Sequence, residues 1–434
     1  MVVWFKKHFG DGRSSSKKER FYYGWIMLAA LLVISIIAFG MHQSFGVFFI
    51  PLQEDFGWSR ALTSGVYSLF LLLSSVMAIF GGWALDRYGP RIVFIVMGVF
   101  TGLSLLLSSQ VSVPWHLFIT YSVLLAIGIG PIWVTSMAAT LGWFEKRRGL
   151  ALGIIAAAVG IGIIIVPLVS TYLVSGYGWQ NSFLILAVFT FIILIPCALL
   201  LKRPPSGLAD LPEGGRLEVA SHNSLEGQNY KVAAELSLPQ AVKTRNFWLI
   251  GSVLFFTGVC SFAVIAHVVP YAIDLGITSM RAASILSLIG GLTIVGALIA
   301  GKVSDNIGRK QATMVCVLLM AGAMLWLIVS SDLWMFYLFA VFFGFSYGGF
   351  APPLMALMGD NFGTRHIGLI MGVLEIGWGV GGAFGPALAG YLFDITGNYI
   401  FAFFLVGVVA LLIGAVSIIF MRQPQGKHDF LMFC

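Results

Sequence analysis

Charge is scarce in this chain: Lys, Arg, Asp and Glu make up 10% of its 434 residues, while 59% are hydrophobic and the mean hydropathy is +0.95. Soluble domains carry roughly 25% charged residues, so this composition excludes a water-soluble globular protein and places the chain in a bilayer. Cysteine is sparse too. Cys197, Cys260, Cys316 and Cys434 are scattered over apolar runs and the carboxyl end without paired spacing, which argues against a disulfide framework or a metal site. No P-loop is present, so nucleotide-driven pumping has no support, and no residue spacing suggests an enzyme or a cofactor. Asn181-Ser-Phe lacks the Ser/Thr of a glycosylation acceptor. Residues 1–21 are polar and basic with no small-residue cleavage pattern, and are read as a retained cytoplasmic tail rather than a signal peptide.

What the chain has in abundance is long apolar runs. About twenty apolar residues cross the hydrocarbon core, and that ruler divides the sequence into twelve segments: 23–51, 60–83, 92–109, 114–142, 150–174 and 181–201, then 246–272, 282–300, 311–329, 334–358, 367–391 and 399–421. None alternates like a barrel strand. The expected fold is therefore an all-α membrane protein of twelve transmembrane helices in two six-helix bundles. Its parts are an amino-terminal tail (1–22), a first bundle (23–201), a linker (202–245), a second bundle (246–422) and a carboxyl-terminal tail (423–434). The linker contains Pro204, Pro205, Gly214 and Gly215 and cannot bury a core, although one short surface helix is expected at about 230–243.

With both termini cytoplasmic, 23 of the 25 Lys and Arg residues fall on inward tails and loops, leaving only Arg60 and Arg281 outside. The outward loops carry Glu54, Asp55, Asp274, Asp332 and Asp394 instead. That bias follows the positive-inside rule. It also explains the net charge of +7 without nucleic acid, and implies a multi-pass plasma or inner membrane protein.

The two bundles repeat each other at an offset of 219 residues. Gly149, Gly153, Gly160 and Pro167 fall on Gly368, Gly372, Gly379 and Pro386, and Gly82-Trp-Ala-Leu-Asp86-Arg-Tyr-Gly89-Pro-Arg91 falls on Gly301-Lys-Val-Ser-Asp305-Asn-Ile-Gly308-Arg-Lys310. Two halves in the same orientation are implied, as in parallel-repeat transporters. Glu375 breaks the symmetry: it falls on Ala156 and is the one charge in the middle of an apolar run.

The two acidic loops resemble the G-x-L-A-D-R-x-G-R-K signature of the major facilitator superfamily. Within it, Trp143-Phe-Glu-Lys-Arg147-Arg148-Gly-Leu-Ala151-Leu-Gly153 and Tyr22-Tyr23-Gly24-Trp25 resemble the segment-five and segment-one motifs of the monocarboxylate-transporter and oxalate/formate-antiporter branch. The resemblance covers roughly residues 22–422. It implies a secondary transporter for small organic acids, working by alternating access and coupled to a proton or an exchanged anion. Asp86, Arg87, Arg91, Asp305, Arg309, Lys310, Arg147 and Arg148 become gating-loop candidates, able to form contacts that break when the molecule changes state. One departure stands out. Carriers of this branch generally place an arginine in segment eight, which here has no charge, and Glu375 occupies segment eleven, where oxalate exchangers add a lysine.

Glu375 lies about 12 Å into its segment at 1.5 Å per residue. An ionised carboxylate at that depth is costly without a partner, which points to proton exchange or contact with a cation; the bland alternative is a protonated acid held for packing. His42 and His267 lie in the outer halves of segments one and seven. Either could supply a proton-dependent counter-charge for an anion, or be a neutral imidazole bonded to a carbonyl. Leu28, Leu32, Ser35, Phe39, His42 and Gly46 share one helical stripe of mixed polarity, as a cavity wall would. Tyr121, Tyr347 and Trp378 could add donors and apolar walls, though single aromatics in spanning helices more often pack. Gly128, Gly130, Pro131, Gly344, Gly348, Gly349, Pro352 and Pro353 read as close-packing and bending points.

The expected function is movement of a small monocarboxylate by a carrier that works as a monomer. A carrier of a neutral or cationic solute, with Glu375 as counter-ion, is the alternative, and a non-transporting membrane sensor is a third class.

Overall fold

The computed structural model describes residues 23–58, 60–144, 147–204 and 235–421. Both expected tails, Tyr22, Lys146 and most of the 202–245 linker lie outside the described residues. Every described span is helical and no strand occurs among the described residues. Lipid offers the backbone no hydrogen-bond partners, so a spanning segment satisfies its own N–H and C=O groups by coiling.

Eleven helical runs are long and apolar enough to cross a bilayer. One of them, Arg148–Leu199, has 52 residues, and would be about 78 Å long if straight, more than twice the hydrocarbon thickness. It is not straight: Gly178 has φ 77°, ψ 167°, backbone that a Cβ would strain, and the chain folds back there. The return is visible at the other end, where Trp143 Nε1 donates to the Lys202 carbonyl (3.2 Å) and Tyr23 Oη donates to the Leu200 carbonyl (2.6 Å). The run is therefore the fifth and sixth spans joined by a one-residue turn, and the count is twelve.

The remaining spans follow the apolar segments closely. The first runs as Tyr23–Gln43 and resumes as Phe45–Phe56, broken at Ser44, whose hydroxyl donates to the Gly40 carbonyl (2.7 Å). The second and third are Arg60–Tyr88 and Pro90–Ser108. In the fourth, a widened turn at Phe118–Leu124 and a break before Ile132–Leu141 at Gly130 and Pro131 bend the helix where bending residues were expected. In the second half the spans are Arg245–Asp274, Ser279–Ile307, Arg309–Ile328, Leu333–Phe362 and Ile367–Thr396. The twelfth is pieced from Ile400–Phe403, a wide turn at Phe404–Val409, and Ala410–Phe420. Of the expected linker helix, Leu238–Val242 is present, opened by a Ser237 and Gln240 capping box. Several helices run past their apolar windows, because polar residues at span ends still gain intrahelical bonds.

The halves meet along two seams related by the repeat. The second span crosses the eleventh, where a Cβ on Gly82 would strike the Gly368 carbonyl. The fifth crosses the eighth, where one on Gly149 would strike the Gly301 carbonyl. Only glycine permits backbones that close. The second-to-eleventh seam loosens with distance from its crossing, and in the fifth-to-eighth the backbones part while the Ile294 side chain still reaches Gly160. Along each helix the glycine approaches continue for about 16 Å to repeat-equivalent residues, Gly379 against Ser75 and Gly160 against Ile294 and the Gly290 carbonyl. Toward the other end, a Cβ added to Gly46, Gly290 or Gly291 would meet no atom within 4 Å. The halves are thus closed at one end and parted at the other.

Candidate functional site

At the closed end the acidic loops do a specific job. The Asp86 carboxylate accepts the backbone N–H groups of Gly368 (3.0 Å) and Leu369 (2.8 Å), in the first turn of the eleventh span. The Asp305 carboxylate accepts those of Gly149 (2.8 Å) and Leu150 (3.1 Å), in the first turn of the fifth. Each acid belongs to one half and caps a helix of the other, supplying acceptors for N–H groups that a helix start leaves unpaired and a negative charge at the positive end of its dipole.

A charged tie is added on one side only. Arg148 of the first half reaches Asp360 at 3.0 Å, and Arg309 of the second half pairs with the other oxygen of the same carboxylate. The repeat partners of Arg148, Asp360 and Arg309 are Ile367, Leu141 and Pro90, so the duplication provides no second tie. Arg148 is aimed by its neighbourhood: its Nε donates to the Phe144 carbonyl (2.9 Å), and Trp25 packs edge-on against Phe144 (5.2 Å between centroids) while Tyr23 packs on Trp143 (5.8 Å). The described parts of the two motifs that suggested the monocarboxylate branch therefore touch each other. The other loop cations serve elsewhere. Lys310 donates to the carbonyls of Ile419 (2.9 Å) and Met421 (2.7 Å) at the end of the twelfth span, Arg87 lies over Trp83 and Tyr88, and Arg91 and Arg147 are exposed.

Between the closed and parted ends lies Glu375. Gly368, Gly372, Glu375 and Gly379 share one face of the eleventh span, and the three glycines face Gly82, Ala78 and Ser75 of the second. Glu375 is thus in the seam between the halves, just where it begins to open. Its side chain is half-buried and makes no hydrogen bond or ion pair with a described residue. Its twin Ala156 is buried. Aromatic rings from three spans of the second half gather one helical turn from Glu375, at Trp378. Trp378, one turn along, packs against Phe262 (5.6 Å), Phe350 (5.6 Å) and Tyr347 (6.3 Å), and Tyr347 lies within electrostatic reach of the carboxylate. Glu375, Tyr347 and Trp378 are brought together.

His42 and Tyr121 form a second group in the first half. His42 Nε2 lies 3.2 Å from Tyr67 Oη, and the rings of His42, Phe45, Tyr67, Phe70 and Tyr121 pack into one cluster, with Phe45 between Tyr67 (5.4 Å) and Tyr121 (4.8 Å). Tyr121 is 2% exposed and its hydroxyl has no hydrogen-bond partner. Along the stripe from Ser35 to Phe39, His42 and Gly46, exposure rises from buried to open, so this cluster borders the parted end. Measured along the second span, Tyr67 is eight residues, about 12 Å, outward of Ser75. The cluster is a station above Glu375, not beside it. His267 joins neither group: its Nε2 lies 3.0 Å from the Pro386 carbonyl and its Nδ1 3.3 Å from Tyr399 Oη, stapling the seventh span to the bend of the eleventh and to the twelfth.

Tyr67 and Asp360 were not singled out from the sequence. Tyr67 had a signal, since it continues the Ser75 and Ala78 stripe of the second span outward; Asp360 had none beyond being an acid near a loop, because its partners lie 212 and 51 positions away. Among the described residues no group of His, Cys, Asp and Glu could hold a metal ion.

The Major Facilitator Superfamily model matches residues 31–305 and 271–431. Monocarboxylate transporter 12 of Xenopus laevis is 26% identical over 421 residues, covering 93% of this chain and 91% of the relative. Monocarboxylate transporter 13 of Rattus norvegicus is 26% identical over 391 residues, covering 90% and 87%. Among solved structures, the transporter FucP in the outward conformation superposes with a TM-score of 0.70 at 14% identity, over 92% of this chain and all of that one.

Proposed function

This chain belongs to the Major Facilitator Superfamily, and we propose that within it the protein carries small monocarboxylates by alternating access, with Glu375 as the group that takes and releases a proton. It is a multi-pass membrane transporter, not an enzyme. The organic-acid cargo is supported by the described parts of the segment-one and segment-five motifs meeting at the closed end, and by the likeness to the monocarboxylate transporters.

The observation that carries the mechanism is the Glu375 carboxylate, which has no hydrogen-bond or ion-pair partner among the described residues, at the mouth of the seam. No Lys or Arg lies at mid-depth in any span to hold an anion. An anion descending from the parted end first meets the His42 and Tyr67 pair, then a carboxylate that repels it unless protonated. Proton on Glu375 and anion in the cleft therefore enter together. Closing the parted end while releasing the Asp86 and Asp305 caps would expose both to the other side. With both termini cytoplasmic, the orientation that the distribution of Lys and Arg favours, the parted end faces outward.

The test is uptake of a radiolabelled short-chain acid into proteoliposomes under an inward acid gradient. Uptake is expected to rise as the outer pH falls in the wild type and to lose that dependence in Glu375→Gln. Uptake that ignores the gradient, or a Glu375→Gln carrier with the wild-type pH profile, removes the proton role.

A further inference from the structure

We infer that the preferred cargo is a zwitterion, a small carboxylic acid that also bears an ammonium or quaternary ammonium group, with the cation seated on Glu375 inside its aromatic shell. The inference rests on the carboxylate-carrier reading above and deepens it. A plain anion needs Glu375 protonated before it can enter; a zwitterion brings the neutralising charge with it.

The chemistry around Glu375 is selective in sign. Trp378, Tyr347, Phe350 and Phe262 pack as a continuous group of rings beside a carboxylate that has no partner among the described residues. Ring faces carry negative electrostatic potential, so they attract a cationic nitrogen and repel an anion, most of all where water is scarce. Carboxylate and rings point to the same class of ligand, and no side-chain cation competes for the place. Of the spans packed on the eleventh, the second brings Asp86, Arg87 and Tyr88 at the closed end, Tyr67 outward and Arg60 at its far end; the seventh brings Arg245 at the closed end, Cys260 in its middle, His267 at Pro386, and Tyr271 and Asp274 beyond it; the tenth brings Tyr347 itself, with Asp360 at the closed end and Tyr337 at the other. The twelfth adds Tyr399, which His267 holds, and the inner half of the fourth, Ile132–Leu141, has no titratable residue. The other pole of such a cargo has its donors too: the half-buried Tyr67 and His42 pair lies outward of Glu375 on the facing half, with the buried Tyr121 ring packed behind it.

The experiment compares propionate, 3-aminopropionate and glycine betaine as ligands of the purified full-length carrier, by thermal stabilisation and by uptake into proteoliposomes. The two aminated acids are expected to bind about tenfold more tightly than propionate, with that advantage lost in Glu375→Gln and reduced in Trp378→Leu but kept in Trp378→Phe. Their uptake should stay level under an acid gradient that stimulates propionate. Because Glu375→Gln could fail to fold, the Trp378 pair is an independent measure. Propionate bound as well as the aminated acids, or an advantage that survives both Glu375→Gln and Trp378→Leu, overturns the inference and leaves the organic-acid reading standing. If none of the three binds or crosses, the organic-acid reading itself fails and takes the inference with it.

Discussion

Two histidines of the same chemical type, placed in equivalent spans, end in different surroundings, and the difference lies in what their ring nitrogens meet. His267 is paired on both nitrogens by the Pro386 carbonyl and Tyr399, so His267→Ala should leave a carbonyl at the helix bend without its donor. A stability loss of about 1–3 kcal/mol is expected by denaturation in detergent, with the KM for cargo unchanged. His42 is held on one nitrogen by Tyr67, at the border of the cleft. Tyr67→Phe removes that bond while keeping the ring stack, and should raise the KM of an acid cargo severalfold while stability falls by only about 1 kcal/mol; a KM equal to wild type would make Tyr67 a packing residue. At this scale the sequence shows residue types and not partners. Glu375 was legible because a charge in an apolar run is expensive wherever it lands. Tyr67 was not, because a tyrosine in a spanning helix costs little and signals little.

Among the elements, the seams were half legible. The 219-residue repeat displays Asp86, Asp305, Gly149 and Gly368 as equivalents, but not that each acid crosses to the opposite half to cap the other's helix, since periodicity within a helix carries no information about which helix it meets. The break of the first span at Ser44 escaped for a related reason, since one residue between two helices leaves the hydropathy unchanged around it, whereas the gap between 174 and 181 already held the Gly178 turn. The glycine crossings make a sharp prediction. Gly82→Val introduces a branched side chain where even a Cβ meets the Gly368 carbonyl, so the closed end should not form. A cysteine replacing Ala78, which is 3% exposed in the same seam, should react in that background with a membrane-impermeant maleimide from the Asp86 side, while Ala78→Cys in an otherwise wild-type carrier stays protected.

For the molecule as a whole, twelve spans, two like-oriented halves and a basic face could all be read from hydropathy and the distribution of Lys and Arg, because the bilayer imposes those patterns directly. The conformational state could not, because it depends on a balance between two sets of contacts of which the chain holds only one at a time. Asp360 bears on that balance. Its partly exposed pair with Arg148 is worth about 1 kcal/mol, so Asp360→Asn should shift the population toward the opposite state by about fivefold, read as faster labelling of a cysteine in the seam below Glu375. Arg148→Gln should do the same, and the double variant should add little to either.

The single charged tie also gives the carrier a sidedness that its duplicated frame lacks. Partly exposed ion pairs weaken as the Debye length shrinks from about 10 Å at 0.1 M salt to about 3 Å at 1 M. The parted rim, by contrast, has no ion pair among the described residues. Raising the ionic strength in one compartment alone should therefore alter turnover when that compartment faces Arg148, and have little effect when it faces the other rim. A bath of concentrated salt becomes a compass for the protein's orientation in a vesicle, readable without a label.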